Sequence, residues 1–376
     1  MPARSRSEPD TRSARTPVMR ILQLVLAPRL SGAEMLVKGL AIAHRQGGHA
    51  VGIASLLPAE SDFADAAREL AAQRVECRFP SRRYEHVARL VFLYRTIRRF
   101  APDIVFAHTT IPALYARALP LSVPIVFVMH SGMNDFAENP WLWRAERVLS
   151  RRARAVIGVS QRNVDQYAAT IGSQRASFVV PNGVDVARFR PTASIVANVG
   201  ARRELRVVQI GRYMPEKGQL ETVRAFHDLL VREPDAPVRL HLCGVVEDRA
   251  YHARVESLVG TLGIGSKVVI EGPRTDVPAL LAQADAFVMP SRFEAHSVGF
   301  LEALASGIPV VANAIDAFDF ARGYPGVQLV DTTNAERFGR ALTAALGQPR
   351  SARPLDGLTL DDTAARYLAI AQRVLA

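Results

Sequence analysis

From Arg20 onward, short apolar runs closed by turn residues alternate with stretches of helix length, and the alternation starts afresh halfway along the chain. ILQLVLA (21–27), AVGIASL (50–56), DIVFAHT (103–109), PIVFVMH (124–130), AVIGVS (155–160) and FVVPNGVD (178–185) read as buried strands. AEMLVKGLAIAHRQ and HVARLVFLYRTIRRF lie between them with helical periodicity. Parallel strands need a crossover, usually a helix, so this alternation predicts a doubly wound parallel sheet. The pattern breaks at about 186–203 and resumes with RVVQIG (206–211), VRLHLCG (238–244), KVVIEG (267–272), AFVMP (286–290), IPVVAN (308–313) and VQLVD (327–331).

A chain of 376 residues exceeds the size at which one core keeps growing. The expectation is an α/β protein of two Rossmann-like domains facing a central cleft. Residues 1–17, rich in Arg and Ser without an apolar core segment, read as a disordered tail rather than a secretory signal. Residues 18–185 form the first domain, 186–203 a linker and 204–358 the second domain. Residues 359–376 form a terminal helix, with Tyr367, Ala371 and Val374 on one face, packing back towards the first domain. Ligands of such sheets sit at the carboxyl ends of the strands.

In SRFEAHSVGFLEALASGIPVVA (291–312), Glu294 and Glu302 stand eight positions apart. Ser297 is a good N-cap, so a helix is expected to begin there, with Glu294 in the preceding loop and Glu302 in the early turns. The two carboxylates then bracket a helix N-terminus whose free N–H groups, those of Ser297, Val298 and Gly299, suit an anion. Glu302 suits a pair of sugar hydroxyls, since a carboxylate can accept two hydrogen bonds. Taken as a bare spacing, the pair equally describes solvated acids on a helix.

GRYMPEKGQLETVRAF (211–226) places Gly211 and Arg212 at a strand end, and Lys217 before a helix. Two cations there suit a diphosphate, or are ordinary surface charges. LSGAEMLVKGLA (30–41) puts Gly32 in a turn after the first strand, where backbone can approach a ligand; it is not a G-x-G-x-x-G fingerprint. His130 in FVMHSG and His108 in VFAHTT end apolar strands on the cleft side, each meeting substrate or satisfying local backbone groups. His44, His49 and His227 read as helix or turn surface.

The net charge of +11 favours an anionic partner. It is concentrated in SRRYEHVARLVFLYRTIRRF (81–100) and WLWRAERVLSRRARA (141–155), where arginines alternate with aromatics. Such segments suit an anionic bilayer surface or are solvated outer helices. No nucleic-acid motif is present, so nucleic acid is not expected as a partner. No run approaches the roughly 18 apolar residues of a membrane span. Cys77 and Cys243 have no metal-ligand spacing, and there is no D-x-D triplet, no G-x-S-x-G and no H-E-x-x-H.

SGAE, VVPNGVD (179–185), GRYMPEKG, LCG, IEG and SRFEAHSVGFLEALASGIPVVA occur in an order that resembles glycosyltransferase family 4, from about residue 20 to 376. The resemblance implies the GT-B fold and a retaining transferase that uses a nucleotide diphosphate sugar as co-substrate, with no cofactor. It implies that Arg212 and Lys217 bind the donor diphosphate, Glu302 the ribose and Glu294 the donor sugar. Gly211 and the backbone of Ser297, Val298 and Gly299 would line the donor site, with Gly32 facing the donor phosphate and His130 near the transferred sugar. The acceptor would be a glycan or lipid-linked molecule, bound by the first domain of a cytoplasmic protein peripheral on an inner membrane and serving lipopolysaccharide or exopolysaccharide synthesis.

Two segments depart from the family pattern. Glu294-Ala295-His296 stands where Glu-Gly-Phe or Glu-Gly-Tyr is common, and AIDAFDF (314–320) where a Gly-Gly turn is usual. A sugar-nucleotide epimerase on the same fold, or a non-catalytic nucleotide-sugar binding protein, are the alternatives that these residues leave open.

Overall fold

The computed structural model describes residues 18–130, 136, 139–172, 176–190 and 204–376. The tail expected over 1–17 and residues 191–203 of the expected linker lie outside the described residues.

Strands β1 (Arg20–Val25), β2 (Ala50–Ser55), β3 (Glu76–Arg78), β4 (Ile104–His108), β5 (Ile125–Met129), β6 (Ala155–Gly158) and β7 (Ser177–Val179) form one sheet in the order β3-β2-β1-β4-β5-β6-β7. Strands β8 (Leu205–Ile210), β9 (Val238–Cys243), β10 (Val268–Glu271), β11 (Ala286–Met289), β12 (Val310–Asn313) and β13 (Val327–Val330) form a second, ordered β10-β9-β8-β11-β12-β13. Every pairing is parallel; Ile21 meets Ile104 in one sheet and Phe287 meets Val208 in the other. Strand order reverses at β1/β4 and again at β8/β11, which opens a crevice at the carboxyl end of each sheet.

The central strands read as unbroken apolar runs because helices cover both of their faces. β4 is buried along its whole length. Leu22, Leu24, Val105 and Phe127 pack on one side of the first sheet, and Ile21, Phe106 and Val126 on the other. β3 was not legible in the sequence: it is a three-residue edge strand with one apolar residue, Cys77. The run FVVPNGVD is strand only at its start, and from Val180 it becomes the loop that carries Asn182 and Gly183 to the cleft. Within the expected linker, Val186–Phe189 form a helical turn whose Phe189 is buried in the second core.

The terminal helix Leu360–Leu375 begins with a capping box between Thr359 and Asp362. Its Tyr367, Ile370, Ala371 and Val374 are buried with Met19, Ile21 and Leu36 of the first domain, and the Tyr367 ring lies 5.1 Å from Phe106. Burying each large side chain stabilises by about 1.5–3 kcal/mol, enough to hold the chain's end on the opposite domain. The crossing requires glycine, since a Cβ at Gly183 would stand 2.2 Å from the Thr359 carbonyl oxygen.

Two histidines expected at the surface are buried. His44 Nε2 lies 3.0 Å from the Ala364 carbonyl, and His49 Nδ1 accepts from the Met19 amide at 3.1 Å. Sequence periodicity missed them because the terminal helix and the chain before β1, not their own helix, cover them.

The helix Pro140–Leu149 is anchored from below. Arg117 donates to both carboxylate oxygens of the fully buried Glu146, at 2.7 and 2.5 Å, and the Tyr167 hydroxyl donates to the same carboxylate. That clamp turns Trp141 outward, 76% exposed, with Arg144 over its ring.

Candidate active site in the interdomain cleft

A cleft of about 1040 Å³ separates the two sheets' carboxyl ends, and it gathers Gly32, His130, Gly211, Arg212, Lys217, Glu294, Ser297, Val298, Gly299 and Glu302 on its walls. Residues from four separate stretches of sequence therefore share one cavity.

Two helix starts face each other across it. The helix Gly32–Gln46 begins after β1, and Val298–Ala305 begins after β11. A Cβ on Gly32 would stand 3.4 Å from the Val298 Cβ, so the two starts are nearly in contact. Ser297 caps its helix by accepting from the Phe300 amide at 3.3 Å. Ser31 makes no such cap; its hydroxyl donates to Glu34 instead. Initial amides of a helix have no partner within it, so both ends present donors and positive dipole to the cleft.

The opposite wall is built where β8 ends. Gln209 Nε2 donates to the Lys217 carbonyl at 2.7 Å and Gln219 Nε2 to the Arg212 carbonyl at 2.9 Å, fixing the loop between them. Gly218 adopts φ +69, and a Cβ there would meet the Pro290 carbonyl at 2.8 Å, so only glycine fits. Lys217 is thereby aimed at the loop after β11, where its Nζ lies 2.6 Å from Glu294 Oε1. Arg212 faces Glu247 at 3.7 Å, and Arg29 of the other domain reaches the same carboxylate at 3.3 Å. Glu247 thus bridges cations from the two domains.

Glu294 lies in the loop and Glu302 on the helix, so the two carboxylates do not share a helical face. They also differ electrostatically. Glu294 is ion-paired, whereas burial pushes the Glu302 carboxyl up to about 7 against the weaker pull of Arg188. A carboxyl that is costly to ionise alone gains from hydroxyl donors when a ligand supplies them. Burial pushes His130 and His296 down to about 4, so both rings are neutral hydrogen-bonding groups.

Sequence reasoning missed several cleft residues. Asn182 is buried and donates from Nδ2 to the His296 carbonyl at 2.6 Å, tying the first domain's last loop to the second domain. Lys38 is buried, paired with Glu69, and its ammonium is pushed down mainly by that burial. Glu34 is pushed up by burial, opposed by the Ser31 hydroxyl and by Arg29. The PNG and SGAE segments held Asn182 and Glu34 in plain view; nothing marked Lys38, whose helix simply turns it inward. The two departing segments meet, because the His296 ring stacks on Phe320 at 5.3 Å.

Two facing parallel α/β domains with helix starts, cations and a raised carboxyl converging on the intervening cleft define the GT-B architecture. Residues 30–188 match the model of Glycosyltransferase Family 4 and residues 204–348 that of Glycosyl transferases group 1, and the chain belongs to this glycosyltransferase family. It is 30% identical over 248 residues to the GDP-mannose-dependent alpha-(1-6)-phosphatidylinositol monomannoside mannosyltransferase of Mycolicibacterium smegmatis, covering 61% of this chain and 62% of that protein. It is 29% identical over 167 residues to the lipopolysaccharide core biosynthesis mannosyltransferase LpsB of Rhizobium meliloti, covering 42% and 47% of the two chains. These alignments span about half to three-fifths of the relatives' length. The crystal structure of Anabaena HepE with UDP and glucose superposes with a TM-score of 0.73 at 18% identity, covering 94% of this chain and 95% of that one.

Proposed function

We propose that this protein is a retaining glycosyltransferase that moves a hexose-type sugar from a nucleotide diphosphate sugar to a glycan or lipid-linked acceptor in bacterial lipopolysaccharide or exopolysaccharide synthesis. The observation that carries the reading is the Lys217–Glu294 pair, 2.6 Å apart, set between Arg212 and the helix start at Ser297–Gly299. It is supported by the named activities of the relatives above and by UDP and glucose in the HepE structure.

In this reading Arg212, Lys217 and the N–H groups of Ser297, Val298 and Gly299 bind the donor diphosphate, against the chain at Gly211 and Gly32. Lys217 leaves Glu294 for the phosphate, and Glu294 is released towards the sugar hydroxyls. Glu302 accepts from the ribose. His130 meets the transferred sugar. As the bond to the diphosphate breaks, charge builds on its oxygens, and fixed donors in a cleft stabilise that charge without reorganising. The acceptor approaches on the face that the diphosphate leaves, so the anomeric configuration is kept.

The basic segments of the first domain are proposed to rest on an anionic inner-membrane surface of the cytoplasm. Trp141 and Val148 are exposed to 76% and 72% on one short helix that carries Arg144 and Arg147. Among the described residues no helix is long and apolar enough to cross a membrane.

The test is a panel of nucleotide sugars incubated with and without a bacterial lipid and glycan extract, followed by mass spectrometry. Transfer with retained configuration from one donor is expected. Conversion of a donor to its epimer without acceptor, or binding without turnover of any donor, would overturn the reading.

A further inference from the structure

Gln23 on β1, His108 at the end of β4 and His130 just beyond β5 stand in a row across three adjacent strands. His108 Nε2 lies 2.6 Å from Gln23 Oε1, and His108 Nδ1 lies 2.8 Å from His130 Nε2. The two imidazoles are nearly parallel, with centroids 5.1 Å apart. Gln23 and His108 are buried in the domain core, while His130 lines the cleft. Nδ1 of His130 is buried and has no partner among the described residues. An unpartnered buried polar atom in a ligand cleft marks a place that a ligand group can fill.

The direction of the hydrogen bonds follows from what each atom can do. With Oε1 turned to His108, Gln23 accepts, which places the proton of His108 on Nε2 and leaves the Gln23 Nε2 buried without a partner among the described residues. A neutral imidazole protonated at Nε2 carries a lone pair on Nδ1, which then accepts from the Nε2–H of His130. His130 is left with a bare Nδ1. Both rings stay uncharged, because burial pushes each below the usual range and a charge on His130 would oppose one on His108.

We infer that Gln23 and His108 are positioning residues that keep the proton of His130 on Nε2, so that Nδ1 accepts a hydrogen bond from a hydroxyl of the bound sugar. The inference rests on the proposed transferase reading for its ligand, but not for its tautomer. Without the row, His130 could turn or carry its proton on the cleft-side nitrogen, and a sugar hydroxyl would meet a donor instead of an acceptor.

Protein labelled with ¹⁵N in its histidine rings separates the two parts. The wild-type His130 is expected as the single Nε2–H tautomer at neutral pH. His108→Phe, which keeps a ring but no polar atom, should give a mixture of tautomers. It should also lower kcat by roughly 10- to 100-fold, the size of loss found when partners that orient metal-bound histidines are removed. Gln23→Met should act in the same direction and less strongly, and the double variant should lose no more than His108→Phe, because both break one row. A wild-type His130 protonated on Nδ1, as a Gln23 amide turned the other way would impose, overturns the inference. So does a folded His108→Phe variant with unchanged kcat. Should the wild type transfer no sugar at all, the functional reading fails, while the ring spectrum still decides the tautomer.

Discussion

Lys217 Nζ and Glu294 Oε1 are 2.6 Å apart, so a cation suited to a diphosphate and a carboxylate suited to a sugar neutralise one another in the open cleft. In the proposed reading Lys217 exchanges one anionic partner for another when a diphosphate binds, rather than desolvating as a free ion, and Glu294 turns to hydroxyl donors.

Replacing Lys217 by Ala is therefore expected to cost about 2.7–4 kcal/mol in the transition state, or roughly 100- to 1,000-fold in kcat, with the fold retained. Steady-state kinetics beside a circular dichroism spectrum check this. Near-normal turnover would remove Lys217 from the proposed diphosphate site.

Glu302 makes stability and binding depend on pH in opposite ways. Its carboxyl is raised from the ordinary 4.5 to about 7, so the native state holds the proton more tightly than the unfolded chain. The stability this group contributes is complete below about 4.5 and lost as pH rises through about 7. Wild-type Tm should fall across that window more than the Tm of Glu302→Gln. Affinity for a nucleotide sugar should rise over the same window if, as proposed, the ionised carboxylate accepts two ribose hydroxyls; calorimetry on both proteins reads that difference directly.

Gly244 is packed so tightly that a Cβ would stand 1.9 Å from the Gly211 carbonyl oxygen. Gly244→Ala should displace the chain at Gly211 and Arg212, costing about 1–3 kcal/mol of stability and raising the donor KM. Urea unfolding and initial rates measure the two effects, and an unchanged KM would separate this contact from the site.

Arg117 and Glu146 form a buried pair beneath the helix Pro140–Leu149. Arg117→Ala leaves a carboxylate buried without its cation and should cost about 3–5 kcal/mol in urea unfolding. A loss below about 1 kcal/mol would mean that water replaces the guanidinium.

On the outer face of that helix, Trp141→Ala should weaken co-sedimentation with anionic vesicles by roughly tenfold or more, with little change in Tm. Absence of vesicle binding by the wild type at low salt would end the membrane proposal.

Much of the architecture was legible because it depends on local rules. The apolar runs of β1, β4, β5, β8 and β9 are bounded by turn residues, and Ser297 before an apolar helix is a cap in any context. That several of the expected residues share the cleft was legible in part for the same reason: glycines and charges at strand ends in α/β proteins gather at the carboxyl edge of the sheet. β3 escaped because three residues with a single apolar side chain carry no period. His44 and His49 escaped because distant chain segments bury them, and Lys38 because its inward turn is set by packing.

The sequence by itself determined two parallel α/β domains, the elements that end at the cleft and the residue types available there, since periodicity, capping and turn chemistry act over a few neighbours. Only the tertiary structure decided which of those residues meet. That Lys217 faces Glu294 across 77 positions, that Glu247 bridges Arg29 and Arg212, and that Gln23, His108 and His130 form one row are consequences of strand order and domain docking. Contacts between residues so far apart depend on how whole elements pack, and no local pattern encodes them.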